Sequence, residues 1–167
     1  MVHLYYGYGK GKTTAAIGLA VRAAGAGKKV LCFQFLKGNN SAERKIIDSL
    51  MDVIPGRDGE KFIFQMNNEE KRKSAEYYGK RLDEIFEIAE NYDLIVLDEA
   101  LDAVEVGFIS EKKLIELINK FGNCKEIIIT GHNPSENIIG SCDYVTEMKK
   151  IKHPYDSGTK ARRGIEY

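Results

Sequence analysis

The sequence is organised around a glycine-rich stretch near its beginning, Gly-Tyr-Gly-Lys-Gly-Lys-Thr-Thr at residues 7–14. Val2, Leu4, Tyr5 and Tyr6 before it predict a short buried strand, and the alanine-rich residues after it predict a helix. A strand, a glycine loop and a helix in this order are typical of a phosphate-binding loop. The glycines let backbone N–H groups turn toward one anion, and the helix N-terminus adds partial positive charge.

Two side chains of this loop have predicted roles, and one position departs from the common pattern. Lys12 is expected to reach phosphate oxygens, and the Thr13 hydroxyl is expected to hold Mg²⁺. The common pattern G-x-x-x-x-G-K-[ST] has its first glycine where this chain has Tyr6, and Gly7 follows one place later. The loop therefore predicts phosphate binding with an altered first glycine.

Strands and helices alternate along the chain. Apolar runs predict strands at residues 30–36, 93–99 and 126–130, and residues 143–148 are predicted to form the last strand. Helical spacing of apolar residues predicts helices at residues 13–26, 41–51, 69–91 and 110–121, with a short helix starting at Asn133-Pro134. The alternation predicts an α/β fold in one domain spanning residues 1–167, a three-layer P-loop NTPase of the RecA-like kind with a mostly parallel central sheet of about six strands.

Two of these helices carry more specific expectations. In the first, Ile17, Ala20, Val21 and Ala24 share one face and are expected to pack against the sheet. In the second, Ser41 is the expected N-cap.

Composition excludes several function classes. Lysine and arginine together number 25 and balance 25 acidic residues, which argues against broad binding to nucleic acid. No apolar run approaches the ~20 residues that span a membrane, and the first strand begins too early for a signal peptide. The odd count of cysteines, Cys32, Cys124 and Cys142, predicts reduced thiols in a cytoplasmic protein, each as a small buried hydrophobe.

Two carboxylates end a hydrophobic run at Asp98-Glu99. P-loop proteins use an acidic residue at this place to hold Mg²⁺ beside the loop hydroxyl, here that of Thr13. Alone, an Asp-Glu pair at a strand end is more often a solvated turn. Combined with the glycine loop in one α/β chain, it predicts nucleotide binding.

Other residues leave alternatives open. Phe62 and Phe64 can be strand residues facing the core, or an apolar wedge against a flat ligand. His132 can be a loop residue without a catalytic task, and the basic tail around His153 can be solvated or can close over phosphates. The residues alone do not distinguish hydrolysis, phosphoryl transfer or attack at the sugar.

The motifs together resemble the P-loop family of ATP:corrinoid adenosyltransferases, which act on cob(I)alamin or cob(I)yrinic acid a,c-diamide. The family usually has Asn where this chain has Tyr8, and Arg where it has His132. The matching stretches are residues 7–16, Gln34-Phe35-Leu36-Lys37-Gly38, Phe62-x-Phe64 with Asn68, Leu97-Asp98-Glu99, Thr130-Gly131, Lys152-His153-Pro154-Tyr155-Asp156-Ser157-Gly158-x-Lys160-Ala161 and Gly164-Ile165-Glu166-Tyr167.

The resemblance implies transfer of the 5′-deoxyadenosyl group of ATP to a cobalt(I) corrinoid, with triphosphate leaving. It implies ATP bound in the opposite sense to most P-loop enzymes, with C5′ facing the corrinoid, and Mg²⁺ (or Mn²⁺) held by Thr13, Asp98 and Glu99. Phe62 and Phe64 would close the lower face of the corrinoid. The implied nucleotide-binding residues are Gly7, Tyr8, Gly9, Lys10, Gly11, Lys12, Thr13, Thr14 and Arg22, with Lys12 also counted as catalytic.

The resemblance further implies a homodimer and a flavodoxin-like reductant as partners. The alternative hypothesis is that the chain is a P-loop ATPase or a regulatory nucleotide-binding module without corrinoid transfer. A small-molecule kinase is a third reading, although no base for a phosphate acceptor is evident in the sequence.

Overall fold

The computed structural model describes residues 1–39, 41–57, 59, 61 and 63–165. The strands are β1 (Val2–Tyr6), β2 (Val30–Gln34), β3 (Asp52–Val53), β4 (Leu94–Asp98), β5 (Glu126–Gly131) and β6 (Tyr144–Glu147). They form one sheet in the order β3-β2-β4-β5-β1-β6, and every pairing is parallel. The strand before the glycine loop and the strand ending in Asp98 are therefore separated by β5.

Helices connect these strands. The α-helices are α1 (Lys12–Gly25), α2 (Arg44–Ile47), α3 (Asn68–Ile88), α4 (Ala100–Glu105), α5 (Glu111–Phe121) and α6 (Glu136–Gly140). Short 3₁₀ turns lie at Ile63–Gln65, Ala89–Asn91 and Pro154–Ser157. Within the described residues, none of the helices is long and apolar enough to cross a membrane.

The sheet carries a hydrophobic core on each face. Every residue of β2 and β4 is buried, as their continuous apolar sequences predict for strands covered on both sides. On one face Cys32 and Val96 pack with the small residues of α1; on the other, Phe33 and Leu97 pack with Tyr78 of α3. The predicted three-layer α/β fold with a parallel sheet of about six strands is confirmed.

The buried face of α1 matches most of the predicted one, because Ala20 is buried and Ile17 and Ala24 are partly buried against the same cluster. Ala16, Ala20 and Ala23 are buried, whereas Val21 is 40% exposed. Alanine has no side chain beyond Cβ, so this stripe lets the helix lie close to the sheet directly after the loop. Helical spacing therefore predicted most of this contact face, and Val21 is the exception.

The helix expected at residues 41–51 was wrong in extent. Only Arg44–Ile47 is α-helical, and its N-cap is Glu43 rather than Ser41. Ile47 is buried against the α1 face of the sheet, while Ile46 and Leu50 stay exposed. Met51 is also buried, but it lies beyond the end of α2, so apolar residues at helical spacing did not produce a long helix here.

Two other boundaries also shifted. The short helix predicted at Asn133-Pro134 begins at Glu136, because the Ser135 side chain accepts a hydrogen bond from the Ile138 amide and acts as the N-cap. The strand considered around Phe62 and Phe64 is not present at the described positions, where Ile63–Gln65 forms a 3₁₀ turn. Phe62 itself lies outside the described residues.

Candidate active site

The altered first glycine of the loop has a backbone explanation. Tyr6 is the last residue of β1 and pairs with Gly131 of β5, so this position is part of the sheet. Gly7 begins the loop with a φ of +105°, a conformation that side chains rarely adopt. Its amide donates to the carbonyl oxygens of Gly131 and His132, both at 3.1 Å. The loop therefore needs its glycine at position 7 and not at position 6.

The loop forms one wall of a cavity of about 310 Å³, a volume typical of small-molecule sites. The other walls come from the ends of β4 and β5, from α4 and from the C-terminal tail. The lining residues are Tyr8, Gly9, Lys10, Gly11, Lys12, Thr13, Thr14, Glu99, Asp102, Thr130, His132, His153 and Ile165. Most of the predicted loop residues thus share one cavity with one of the predicted carboxylates.

Lys12 is the first residue of α1 and faces this cavity. Its ammonium donates a 3.1 Å hydrogen bond to the carbonyl oxygen of Gly9, across the loop. Burial lowers its pKa, although the carboxylates of Asp102, Glu99 and Asp98 oppose that shift. The hydrogen bond to Gly9 folds the Lys12 side chain back over the loop. The charge of Lys12 therefore lies beside the backbone amides that would bind an anion.

Asp98 is the most heavily bonded carboxylate of the site. It is fully buried and accepts hydrogen bonds from Thr13 at 2.9 Å, Thr130 at 2.7 Å, Gln34 at 3.1 Å and Lys37 at 2.8 Å. Burial alone would raise its pKa, but the Lys37 ammonium and the hydrogen bonds hold the pKa below its ordinary value. Asp98 is therefore ionised in a preorganised position.

Glu99 is set into the cavity by an unusual backbone conformation. Its φ of +58° is left-handed, and its amide donates to the Thr130 hydroxyl at 2.8 Å. The side chain remains 32% exposed. Burial, together with the charges of Asp98 and Asp102, raises the pKa of Glu99 to about 7, although the Lys37 ammonium opposes the shift. Strain of this kind is concentrated at functional sites.

Lys37 lies in the stretch after β2 that resembles the family, but sequence reasoning gave it no role of its own. Its ammonium lies 2.8 Å from Asp98 Oδ2, 3.3 Å from Glu99 Oε1 and 3.1 Å from Thr13 Oγ1. Burial opposes its charge, but the two carboxylates outweigh that effect and raise its pKa above the ordinary value. The polar turn after β2, at the edge where strand carboxyl ends meet, was the available signal.

A histidine and a tyrosine occupy the opposite side of the loop. His132 Nδ1 lies 2.5 Å from Asp102 Oδ1, and its ring centre lies 5.1 Å from that of Tyr8. The Tyr8 hydroxyl in turn bonds the side chain of Asn133. From the tail, His153 also lines the cavity. These contacts place the histidines at the cavity without assigning either of them a chemical task.

The structure separates two other predicted residues from the loop. Phe64 is 82% exposed and lies in the 3₁₀ turn before α3. Arg22 is exposed in the last turn of α1 and is not among the cavity-lining residues. Ten residues of helix, or about 15 Å, separate it from Lys12. The proposed nucleotide role of Arg22 thus gains no support from its position.

The donor set beside Lys37 suits a hard cation. Across the described part of the chain there is no cluster of three or more His, Cys, Asp and Glu side chains able to hold a metal ion. Thr13, Asp98 and Glu99 instead offer one hydroxyl and two carboxylates, the oxygen ligands that Mg²⁺ prefers. A Mg²⁺ ion here would complete its shell with phosphate oxygens and water.

Comparison with known proteins gives one consistent result. The family model described as "ATP:corrinoid adenosyltransferase BtuR/CobO/CobP" matches residues 1–167. Corrinoid adenosyltransferase CobA from Salmonella typhimurium is 32% identical over all of this chain and 85% of its own length. A corrinoid adenosyltransferase from Escherichia coli strain K12 is 31% identical with the same coverage.

Similarity to solved structures is more distant. A KaiC-like protein, PH0186 from Pyrococcus horikoshii, aligns with 99% of this chain and 66% of its own at 17% identity and a TM-score of 0.42. That value is too low to support an argument about function.

Proposed function

The chain belongs to the ATP:corrinoid adenosyltransferase family, and we propose that the cavity beside its glycine-rich loop is where ATP reacts. The enzyme transfers the 5′-deoxyadenosyl group of ATP to a corrinoid. In the proposed step, a bond forms between cobalt(I) and C5′ of the ribose. The bond between C5′ and the triphosphate oxygen breaks, and triphosphate leaves with the electron pair.

One observation carries the assignment of this site. Loop residues Tyr8 to Thr14 and the Glu99 carboxylate line the same cavity, and Thr13 is hydrogen-bonded to Asp98 at its edge. The groups that would donate hydrogen bonds to phosphate therefore lie beside the oxygens that would bind a metal ion. This is the arrangement that a nucleotide triphosphate with its cation requires.

The loop would bind the triphosphate through its backbone amides and through the charges of its lysine side chains. Its amides and the N-terminus of the 14-residue α1 present partial positive charge to an anion. Lys12 adds a full charge in the cavity, and Lys10 adds a second at its exposed edge. Such fixed donors stabilise a leaving triphosphate, which carries more charge on its bridging oxygen than ATP does.

Thr13, Asp98 and Glu99 would hold Mg²⁺ (or Mn²⁺) at the same phosphates. When bound, the ion neutralises phosphate charge and favours departure of the triphosphate. The protein contributes the ligand positions: Thr130 and Gln34 fix the Asp98 carboxylate, and the Thr130 hydroxyl also fixes the backbone of Glu99.

The chemistry does not need a protein base. Cobalt(I) is already a strong nucleophile, so the protein has to align it with C5′ and exclude water. We assign the corrinoid face to Phe64 together with Phe62. Support comes from the exposure of Phe64, a large apolar ring that is 82% exposed in the 3₁₀ turn before α3. An apolar wedge there would displace the lower axial ligand and make cobalt(II) easier to reduce.

Two partners are proposed, and the first follows from the need for cobalt(I). An electron donor has to supply the reduced corrinoid, and a flavodoxin-like protein is the proposed class. A homodimer is proposed on the family resemblance alone.

The deciding experiment measures both products. The protein is incubated with ATP, Mg²⁺ and chemically reduced corrinoid, and the visible spectrum and the phosphate products are followed. Adenosylcorrinoid and triphosphate in equal amounts are expected. ADP and phosphate with no change in the corrinoid spectrum would contradict the proposal and indicate an ATPase or a regulatory nucleotide-binding module.

A further inference from the structure

One nitrogen atom occupies the point where three proposed metal ligands meet. Thr13 Oγ1, Asp98 Oδ2 and Glu99 Oε1 all lie within 3.3 Å of the Lys37 ammonium. We propose that Lys37 is the resident cation of the metal position in the nucleotide-free enzyme, and that it makes metal binding conditional on the triphosphate. This inference rests on the proposed metal site.

The charges explain why a cation is present there before the metal. Asp98 is fully buried, and a buried carboxylate without a counter-charge is strongly destabilising. The Lys37 side chain is 23% exposed, and its single charge offsets part of the combined charge of Asp98 and Glu99. The ammonium therefore preserves the geometry of the ligand oxygens when no metal is bound.

The backbone around Lys37 is anchored, so the side chain alone can move. Leu36 has a left-handed φ of +57°, and the Phe35 amide donates to the carbonyl oxygen of Asp98 at 2.9 Å. The Asn39 side chain bonds both the amide and the carbonyl group of Gly56. Displacing the ammonium therefore requires rotation about the side-chain bonds of Lys37 and no rearrangement of the loop.

The same contacts predict competition. A divalent ion and the ammonium cannot share one set of three oxygens, and their charges repel at that distance. A metal ion that binds alone contacts two carboxylates but must displace the Lys37 ammonium. A metal ion that binds together with triphosphate also brings negative charge, and the displaced ammonium can pair with that charge. Metal binding without nucleotide is therefore weak because of Lys37.

Mn²⁺ serves as the probe, followed by electron paramagnetic resonance of the free ion and by water proton relaxation. Wild-type protein without nucleotide should bind Mn²⁺ weakly, and β,γ-methylene ATP should produce a ternary complex. Lys37→Met should bind Mn²⁺ without nucleotide at least about tenfold more tightly, because one unit charge at about 3 Å has been removed. Lys37→Arg, which keeps the charge, should bind Mn²⁺ as weakly as the wild type.

Lys113→Met is the matched control, because the Lys113 ammonium pairs with Asp83 on the surface of α3 and α5. The Mn²⁺ affinity of this variant should equal that of the wild type. Circular dichroism checks the fold of each variant, and Lys37→Gln gives the same test with a polar side chain. Tight Mn²⁺ binding by nucleotide-free wild type, or no gain in either neutral variant, would overturn the inference. Absence of the wild-type ternary complex would instead overturn the metal site itself.

Discussion

The amide of Gly9 donates a 2.5 Å hydrogen bond to the carbonyl oxygen of Met148, which directly follows the edge strand β6. β6 pairs only with β1 in the described sheet, and all four of its residues are exposed. Its contribution to the core is small. Its contact with Gly9 instead fixes the middle of the glycine loop, which links the last strand to the shape of the phosphate site.

Gly9→Ala should damage this contact. A Cβ at Gly9 would lie 2.5 Å from the carbonyl oxygen of Met148, a backbone atom that cannot move aside cheaply. We expect a loss of about 1–3 kcal/mol in the free energy of unfolding, typical of overpacking, and weaker ATP binding. Chemical denaturation and calorimetric titration with ATP measure the two effects.

The control is Gly79→Ala in the interior of α3, where an added Cβ would meet no atom within 4 Å. Alanine favours the helix there, so this variant should gain about 0.5–1 kcal/mol and keep its ATP affinity. If Gly9→Ala behaved like Gly79→Ala, the contact with Met148 would not shape the loop.

The Thr13 hydroxyl gives a second prediction. It bonds Asp98 at 2.9 Å in the structure and is a proposed metal ligand. Thr13→Val keeps the shape of the side chain but removes the oxygen, so transfer activity at fixed Mg²⁺ should fall by at least about tenfold. Thr13→Ser keeps the hydroxyl and should retain most of the activity. Equal activity in the Val and Ser variants would exclude a role for the hydroxyl.

Sequence reasoning located the parts of the site that are set by residues close to one another in the sequence. The loop, the buried strand before it and the carboxylates Asp98 and Glu99 all follow from local patterns, and the structure brings them together. Lys37 could not be assigned in this way. Its ammonium reaches Asp98 because β2 pairs with β4, which lies about 60 residues further on, and because Leu36 turns into a left-handed conformation.

The contact of Met148 with the loop was unpredictable for a similar reason. It depends on the register of β6 beside β1, and β6 lacks the continuous buried sequence that identified β2 and β4. A short 3₁₀ turn such as Ile63–Gln65 has no periodic pattern of apolar residues that would identify it from the sequence. The sequence therefore could not decide whether Phe62 and Phe64 belong to a strand or form a wedge.

Phe64→Ala tests the wedge. The ring is 82% exposed, so its removal should change stability little, within about 0.5 kcal/mol. ATP affinity should be unchanged, whereas transfer to cobalt(II) corrinoid with a physiological reductant should fall steeply. Transfer to chemically prepared cobalt(I) should fall less, because the reduction step is bypassed.

Ile46→Ala is the control for that variant, since Ile46 is another exposed apolar side chain, in α2. It should leave both transfer reactions unchanged. Wild-type rates for Phe64→Ala with cobalt(II) corrinoid would remove the wedge assignment.

A capping box holds the start of α3 three residues after Phe64. The Asn67 side chain accepts from the Glu70 amide at 2.9 Å, and the Glu70 side chain accepts from the Asn67 amide at 2.9 Å. Asn67→Ala should therefore cost about 1 kcal/mol in the free energy of unfolding. Asn68→Ala, at the exposed next residue, is the control and should lower the free energy of unfolding markedly less. Urea denaturation measures both variants. Equal losses of stability would contradict the capping role of Asn67.

The three cysteines should react at very different rates. All are free, but Cys32 is buried between α1 and the sheet, Cys142 is half-buried and Cys124 is exposed, so the prediction of three buried thiols was wrong for Cys124. Burial raises the pKa of Cys32 to about 12 and that of Cys142 to about 11. A raised pKa leaves less thiolate at pH 8, and the thiolate is the reactive form.

Iodoacetamide at pH 8 should therefore alkylate Cys124 first, Cys142 slowly and Cys32 only when the core opens, as mass spectrometry of peptides can measure. Cys124→Ser should remove the fast phase and leave the slow ones unchanged. Because Cys32 packs with Ala16 and Ala20 of α1, bound ATP should slow its labelling further by holding that helix to the loop. Fast labelling of Cys32 in the native protein would show that α1 does not cover β2 as the structure describes.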